Sequence, residues 1–135
     1  LFNLNLLLYE IAGIYHMNSH HIKIRHTRKE KLVIQFFTIL ETHYREQHSV
    51  TFYANTLFVT AGHLNKTIKQ VTGKTAKQWI EEEIILEAKK MLQNDDLTIL
   101  SISEELQFSS PSFFCNFFKK HNAVSPSEYR LRLTL

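Results

Sequence analysis

Residues 49–75 read SVTFYANTLFVTAGHLNKTIKQVTGKT, and residues 98–125 read TILSISEELQFSSPSFFCNFFKKHNAVS. The second stretch repeats the first. At an offset of 49, Tyr53 meets Ile102, Ala54 meets Ser103, Leu57 meets Leu106, Val59 meets Phe108 and Thr60 meets Ser109. One inserted residue in the second copy then sets Leu64 against Phe114, Ile68 against Phe118 and Lys69 against Lys119. It also pairs Gly73 with Ala123, Thr75 with Ser125 and Trp79 with Tyr129. Self-similarity of this kind marks one structural unit used twice.

Each copy reads as a short helix, a tight turn and a second helix. Ser49 is placed to cap the first helix, which ends near Leu57, and Phe58-Val59-Thr60 forms the turn. The second helix runs from about Ala61 to Val71, and Gly73 ends it, as a glycine just past a helix does. In the second copy Thr98 caps a helix to about Gln107. Ser110-Pro111 supplies a cap followed by proline at the first helical position, and the second helix runs to about His121. Between the copies, Thr75 and Gln78 form a capping box for a linker helix over residues 76–93. Trp79 or Ile80, Ile84, Ala88 and Met91 or Leu92 line one of its faces, and Glu81, Glu82, Glu83 and Glu87 lie largely outside that stripe.

The flanks extend the pattern. Thr27 with Glu30 is a capping box, and Val33, Phe36, Phe37, Leu40 and Tyr44 form an apolar stripe, so a helix is expected over about 28–46. Ser125-Pro126-Ser127-Glu128 opens a last helix with both a capping box and a proline. Leu4, Leu7, Ile11 and Ile14 fall at helical spacing and predict a short amphipathic helix, with residues 15–27 as a linker.

Composition agrees with an all-α fold. The chain has 135 residues, the size of one domain or of two small subdomains. With 44% hydrophobic and 21% charged residues it can bury a core. Three glycines and two prolines are too few for the turns of a doubly wound sheet or a β-sandwich. The single cysteine, Cys115, excludes an internal disulfide framework and a Cys-based zinc site, which suits a cytoplasmic protein. Leu1–Ile14 is too short and too polar to cross a bilayer, and it lacks the features of a signal peptide. No membrane partner is therefore expected. A start at Leu1 rather than Met is expected of a fragment of something longer.

The net charge of +3 is unevenly spread. Residues 1–50 carry net +2, residues 51–80 carry four lysines and no acid, residues 81–108 net −6, and residues 109–135 net +3. Basic blocks flanking an acidic one are an electrostatic footprint for nucleic acid.

Helix, tight turn, helix is the plan in which the second helix enters the major groove of DNA. Leu64 and Ile68 point inward on the first such helix, leaving Gly62, His63, Asn65, Lys66 and Lys69 outward. Asn65 can pair bidentately with adenine, Lys66 can donate to guanine or phosphate, and Gly62 allows close approach. The second helix offers Ser112, Phe113 and Asn116, then Lys119 and Lys120. Phe113 could meet a thymine methyl, although the crowd of Phe114, Phe117 and Phe118 favours the core for it. A linker of about 27 Å approaches the ~34 Å of one DNA turn, so one chain could read two successive grooves at an asymmetric site.

Residues 28–135 resemble the AraC/XylS-type DNA-binding domain of bacterial transcription regulators. The matching residues are Tyr53-Ala54, Leu57, His63-Leu64-Asn65-Lys66, Ile68-Lys69, Thr72-Gly73-Lys74-Thr75 and Glu87-Ala88-Lys89. Leu106, Phe108, Phe114, Phe118-Lys119-Lys120 and Ser125-Pro126-Ser127-Glu128-Tyr129-Arg130 continue the match. The resemblance implies two helix-turn-helix subdomains, about 49–73 and 98–123, joined by the linker helix. It implies base contacts at Gly62, Asn65 and Lys66 from the first reading helix and at Ser112, Phe113 and Asn116 from the second. Lys66, Lys69, Lys74, Lys119, Lys120 and Arg130 are candidate phosphate contacts, which fix register rather than sequence. Double-stranded DNA is the implied partner, RNA polymerase a further candidate. Residues 1–27 would be the remnant of a preceding sensing or dimerisation domain, the route to a homodimer and to a small-molecule effector. No cofactor, metal or catalytic residue is implied.

The chain departs from that pattern at Ser103, where the family has alanine, and at Gln107 and Ala123, where it has glycine. It departs again at Asn116, often arginine, and at Glu83, which reverses a linker charge. Gln107 falls where a glycine takes positive φ, at a cost of order 1 kcal/mol. The second motif is therefore expected to bind DNA more weakly than the first, or mainly to position it.

Other functions fit less well. No nucleophile–base or acid–base spacing is recognisable among the eight histidines, the serines and Cys115. Cys115, beside four phenylalanines, reads as semi-buried rather than reactive. His16 and His20, near His21 and His26, have a zinc-compatible spacing but no carboxylate ligand, and read as linker histidines. The remaining rival is a helical protein-interaction module that has lost DNA reading.

Overall fold

The computed structural model describes residues 26–135. All regular structure among them is α-helical. The seven helices are α1 (Arg28–His43), α2 (Val50–Thr56), α3 (Ala61–Thr72), α4 (Ala76–Leu92), α5 (Ile99–Glu105), α6 (Pro111–Asn122) and α7 (Pro126–Leu133). The expected helix over Leu1–Ile14, its linker and the histidines at 16, 20 and 21 lie outside the described residues. Two compact units divide within α4, one ending at Ile80 and the other beginning at Glu81.

Capping side chains set the helix starts. The Oγ1 of Thr27 accepts the Glu30 N–H (3.2 Å), that of Thr60 the His63 N–H (3.1 Å) and that of Thr98 the Ser101 N–H (3.0 Å). The Oγ of Ser110 accepts the Phe113 N–H (3.2 Å) and that of Ser125 the Glu128 N–H (3.2 Å). Thr75 and Gln78 close the expected box in both directions, at 2.8 and 3.1 Å. Each such bond satisfies a donor the helix cannot satisfy itself.

The repeat is visible in the backbone. α2 and α5 each have seven residues, and α3 and α6 each have twelve. The turn after the short helix puts Phe58 at φ +57° and Gln107 at φ +58°. The end of the second helix puts Gly73 at +87° and Ala123 at +63°. Positive φ at Gln107 follows the sequence expectation. Phe58 shares that left-handed conformation, with its ring 95% exposed.

In the first unit, Val33, Phe36, Phe37 and Leu40 of α1 are buried with Tyr53, Leu64, Ile68, Trp79 and Ile80. The rings meet edge to face, Phe36 with Tyr53 at 5.5 Å and Phe37 with Trp79 at 5.2 Å. The Tyr53 hydroxyl donates to Gln47 O at 2.8 Å, and burial pushes its phenol well above the usual range. α1 ends at His43, three residues short of the expected Glu46. There the chain tightens, with Glu46 N–H donating to His43 O, and swings Gln47 towards Tyr53.

The second unit buries Ile85, Ala88, Leu92, Ile102, Leu106, Phe114 and Phe118, with Phe108, Phe117 and Tyr129 packed against them. Ser103 is buried where the first copy has Ala54. Its hydroxyl donates to Leu100 O at 2.8 Å, so the extra polar atom is satisfied within its own helix.

The linker helix departs from its sequence reading on one point. Glu83 and Glu87 are buried, at 2% and 7% exposure, rather than lying outside the apolar stripe. Burial pushes the Glu83 carboxyl above its ordinary value. Periodicity along one helix does not reveal what covers its other face.

Candidate nucleic-acid interface

The first candidate surface is α3. Leu64, Thr67 and Ile68 are buried, which turns Gly62, His63, Lys66 and Lys69 to solvent and leaves Asn65 half-buried. A Cβ added to Gly62 would meet nothing within 4 Å. The fold itself therefore gives no steric reason for a glycine there, and a helical glycine costs roughly 0.5–1 kcal/mol against alanine. A closely approaching ligand supplies a reason.

Asn65 is tied from behind. Its Oδ1 accepts the Lys77 N–H at 3.2 Å, near the start of α4. The bidentate adenine pairing expected from sequence needs that oxygen as well as the amide nitrogen. With Oδ1 engaged, Nδ2 remains as a donor.

The loop after α3 is fixed by its own residues. The Thr72 hydroxyl donates to Ile68 O at 2.7 Å and accepts the Trp79 Nε1–H at 2.8 Å. Gly73 takes the left-handed conformation, and the Lys74 ammonium stands 4.8 Å from the Trp79 ring centroid. Lys74, a candidate phosphate contact, is thus exposed but positioned.

The second candidate surface is α6. Phe114 and Phe118 are buried, Cys115 and Phe117 half-buried, and Ser112, Phe113, Asn116, Lys119 and Lys120 exposed. Phe113 is 65% exposed, so the core does not take it despite its phenylalanine neighbours. Its N–H is fixed by Ser110, which aims the first turn so that Phe114 rather than Phe113 faces inward. At the end of α6, Asn122 Nδ2 donates to Phe118 O at 3.1 Å, in the place of Thr72. Val124 stands where the first copy has Lys74, one cation fewer.

Arg130 has an internal role that its sequence did not suggest. Its Nε donates to Leu92 O at 3.1 Å and its Nη2 to Asn94 O at 3.2 Å. These are carbonyls at and just past the C-terminus of α4, where a cation is favoured. Its remaining N–H groups are what a phosphate could use. The Asn65–Lys77 bond and the exposed ring of Phe58 were likewise missed, because no local spacing announces either.

Among the described residues no helix is long and apolar enough to cross a membrane.

Comparison with known proteins matches residues 53–132, more than half the chain, to the family described as "Helix-turn-helix domain". The chain is 31% identical over 103 residues to the probable transcription factor PqrA of Proteus vulgaris, covering 75% of this chain and 84% of that protein. It is 26% identical over 102 residues to the HTH-type transcriptional regulator YisR of Bacillus subtilis (strain 168), covering 76% of this chain but only 36% of that protein. Among solved structures, the C-terminal domain of AraT, a response regulator from Geobacillus stearothermophilus, aligns with TM-score 0.70 at 25% identity. That alignment covers 78% of this chain and 88% of that one. Two copies of one capped helix-turn-helix unit, matched over their length in this way, place the chain in the AraC/XylS-type helix-turn-helix family of DNA-binding transcription regulators.

Proposed function

We propose that the chain binds duplex DNA sequence-selectively, α3 and α6 each entering a major groove, and so directs transcription in the bacterial cytoplasm. The observation that carries this reading is the repeated unit, in which each second helix has a capped first turn and an exposed polar face. On α3 the base contacts are Gly62, Asn65 and Lys66. On α6 they are Ser112, Phe113 and Asn116. Lys69, Lys74, Lys119 and Lys120 take phosphates, and Arg130 does so with the donors that Leu92 and Asn94 leave over. RNA polymerase is the proposed partner of the bound chain. A second copy and a small-molecule effector belong to regions beyond residues 28–135.

The two units are unequal partners. Asn116 offers no charge where Lys66 does, and Val124 none where Lys74 does. The first unit therefore supplies more of the affinity. Titration of the chain against duplex DNA over a range of salt tests the reading. Neutralising about five phosphates predicts a slope of log K on log salt near −4.5. A shallow slope points instead to an apolar protein interface. Lys66→Ala should weaken binding more than Lys119→Ala, and equal losses contradict the inequality.

A further inference from the structure

Phe113 is the one exposed phenylalanine of α6, 65% exposed. It stands on the first turn between exposed Ser112 and, one turn on, exposed Asn116. None of the three is charged, and the cations of α6, Lys119 and Lys120, come only near its end. The matching positions on α3 are Gly62, His63 and Lys66. Where α3 presents an imidazole and an ammonium, α6 presents an apolar ring flanked by a hydroxyl and a carboxamide.

The apolar group on the floor of the major groove is the C5-methyl of thymine. Cytosine methylated at C5 carries the same methyl in the same place. The neighbouring exocyclic group differs between them, an O4 acceptor in thymine and an N4 donor in cytosine. A carboxamide and a hydroxyl can each donate or accept, so Asn116 and Ser112 suit either base. We infer that Phe113 reads the C5-methyl of a pyrimidine, thymine or 5-methylcytosine, so that binding at the second box responds to cytosine methylation. The inference rests on the DNA-binding reading above.

The test uses the whole chain and a duplex carrying its selected site, with binding followed by fluorescence anisotropy. Each thymine of the second box is replaced in turn by deoxyuridine, which removes only the methyl. One position should lose about three- to fivefold in affinity, the worth of one buried methyl. At that position cytosine should bind as weakly as deoxyuridine, and 5-methylcytosine should restore the loss. Phe113→Ala should bind the thymine duplex at the deoxyuridine level and no longer distinguish the two. Its salt slope should be unchanged, and because the ring is exposed its thermal unfolding should match the parent. Phe113→Leu, still apolar, should keep part of the methyl response.

Selective, salt-dependent binding that ignores the methyl at every position overturns this inference alone. So does a methyl response of full size in Phe113→Ala. Absence of salt-dependent duplex binding overturns the DNA reading and this inference with it.

Discussion

The side-chain oxygen of Asn65 accepts the backbone N–H of Lys77, so a residue on the outer flank of α3 holds the first turn of α4. One carboxamide thus has a structural end and a free end. The oxygen stabilises the linker helix, and in the proposed function the nitrogen is the group that contacts DNA.

Two substitutions separate those ends. Asn65→Ala should cost about 1 kcal/mol of stability, a typical loss for an unsatisfied helix N-terminal donor, and should weaken DNA binding as well. Asn65→Asp keeps the acceptor and places a negative charge at a helix N-terminus, where it is favourable. Its unfolding midpoint should equal or exceed the parent's, while its DNA affinity falls at least tenfold through lost donation and repulsion from phosphate. Urea unfolding and anisotropy on the same samples check both. If Asn65→Asp binds DNA normally, Nδ2 has no role there.

Gly62 makes a converse case. The Cβ of Gly62→Ala meets open space in the free protein. The variant should gain roughly 0.5–1 kcal/mol in stability yet bind DNA more weakly, because the methyl meets the duplex. A gain in stability with unchanged affinity would show that α3 does not approach DNA closely at this residue.

The left-handed positions predict opposite effects in the two units. Ala123→Gly relieves an alanine at φ +63° and should stabilise the second unit by about 1 kcal/mol. Gly73→Ala puts a Cβ at φ +87° with no atom within 4 Å, so its cost, also about 1 kcal/mol, is backbone strain alone. Chemical denaturation of both variants measures the pair. Equal signs would contradict the reading.

Glu83 predicts a pH dependence. Its carboxyl is raised from an ordinary value of 4.5, so the folded chain holds that proton to higher pH than the unfolded chain does. Its contribution is most favourable below the unfolded value and is lost as pH rises through the raised folded value. Glu83→Gln should unfold like the parent near pH 4 and at higher denaturant than the parent at pH 7. A Glu83→Gln variant less stable at pH 7 would mean that the ionised carboxylate is a net asset.

Legibility followed the range of the interaction. Thr27, Thr75, Thr98, Ser110 and Ser125 act on donors three residues away, and Gly73 acts at its own backbone, so each could be read from sequence. The family resemblance extended that reach, since its pattern has glycine where Gln107 stands and so placed Gln107 at positive φ. Through the repeat the same logic applied to Phe58, but a bulky aromatic residue carries no sign of a left-handed turn. Asn65 to Lys77, Arg130 to Leu92 and the burial of Glu83 are tertiary. They depend on where the chain returns, which one-dimensional spacing does not encode. Phe113 lay between these cases: the repeat set Phe114 and Phe118 against the inward Leu64 and Ile68, yet four phenylalanines in six residues still drew Phe113 towards the core.

Selection from a randomised duplex pool, repeated at two salt concentrations, tests the central claim most directly. Two helices of different chemistry should enrich an asymmetric motif of two boxes about one helical turn apart, with the box of α3 better defined and binding falling steeply with salt. No enriched motif, with little response to salt, would contradict the account and leave a helical module that binds protein.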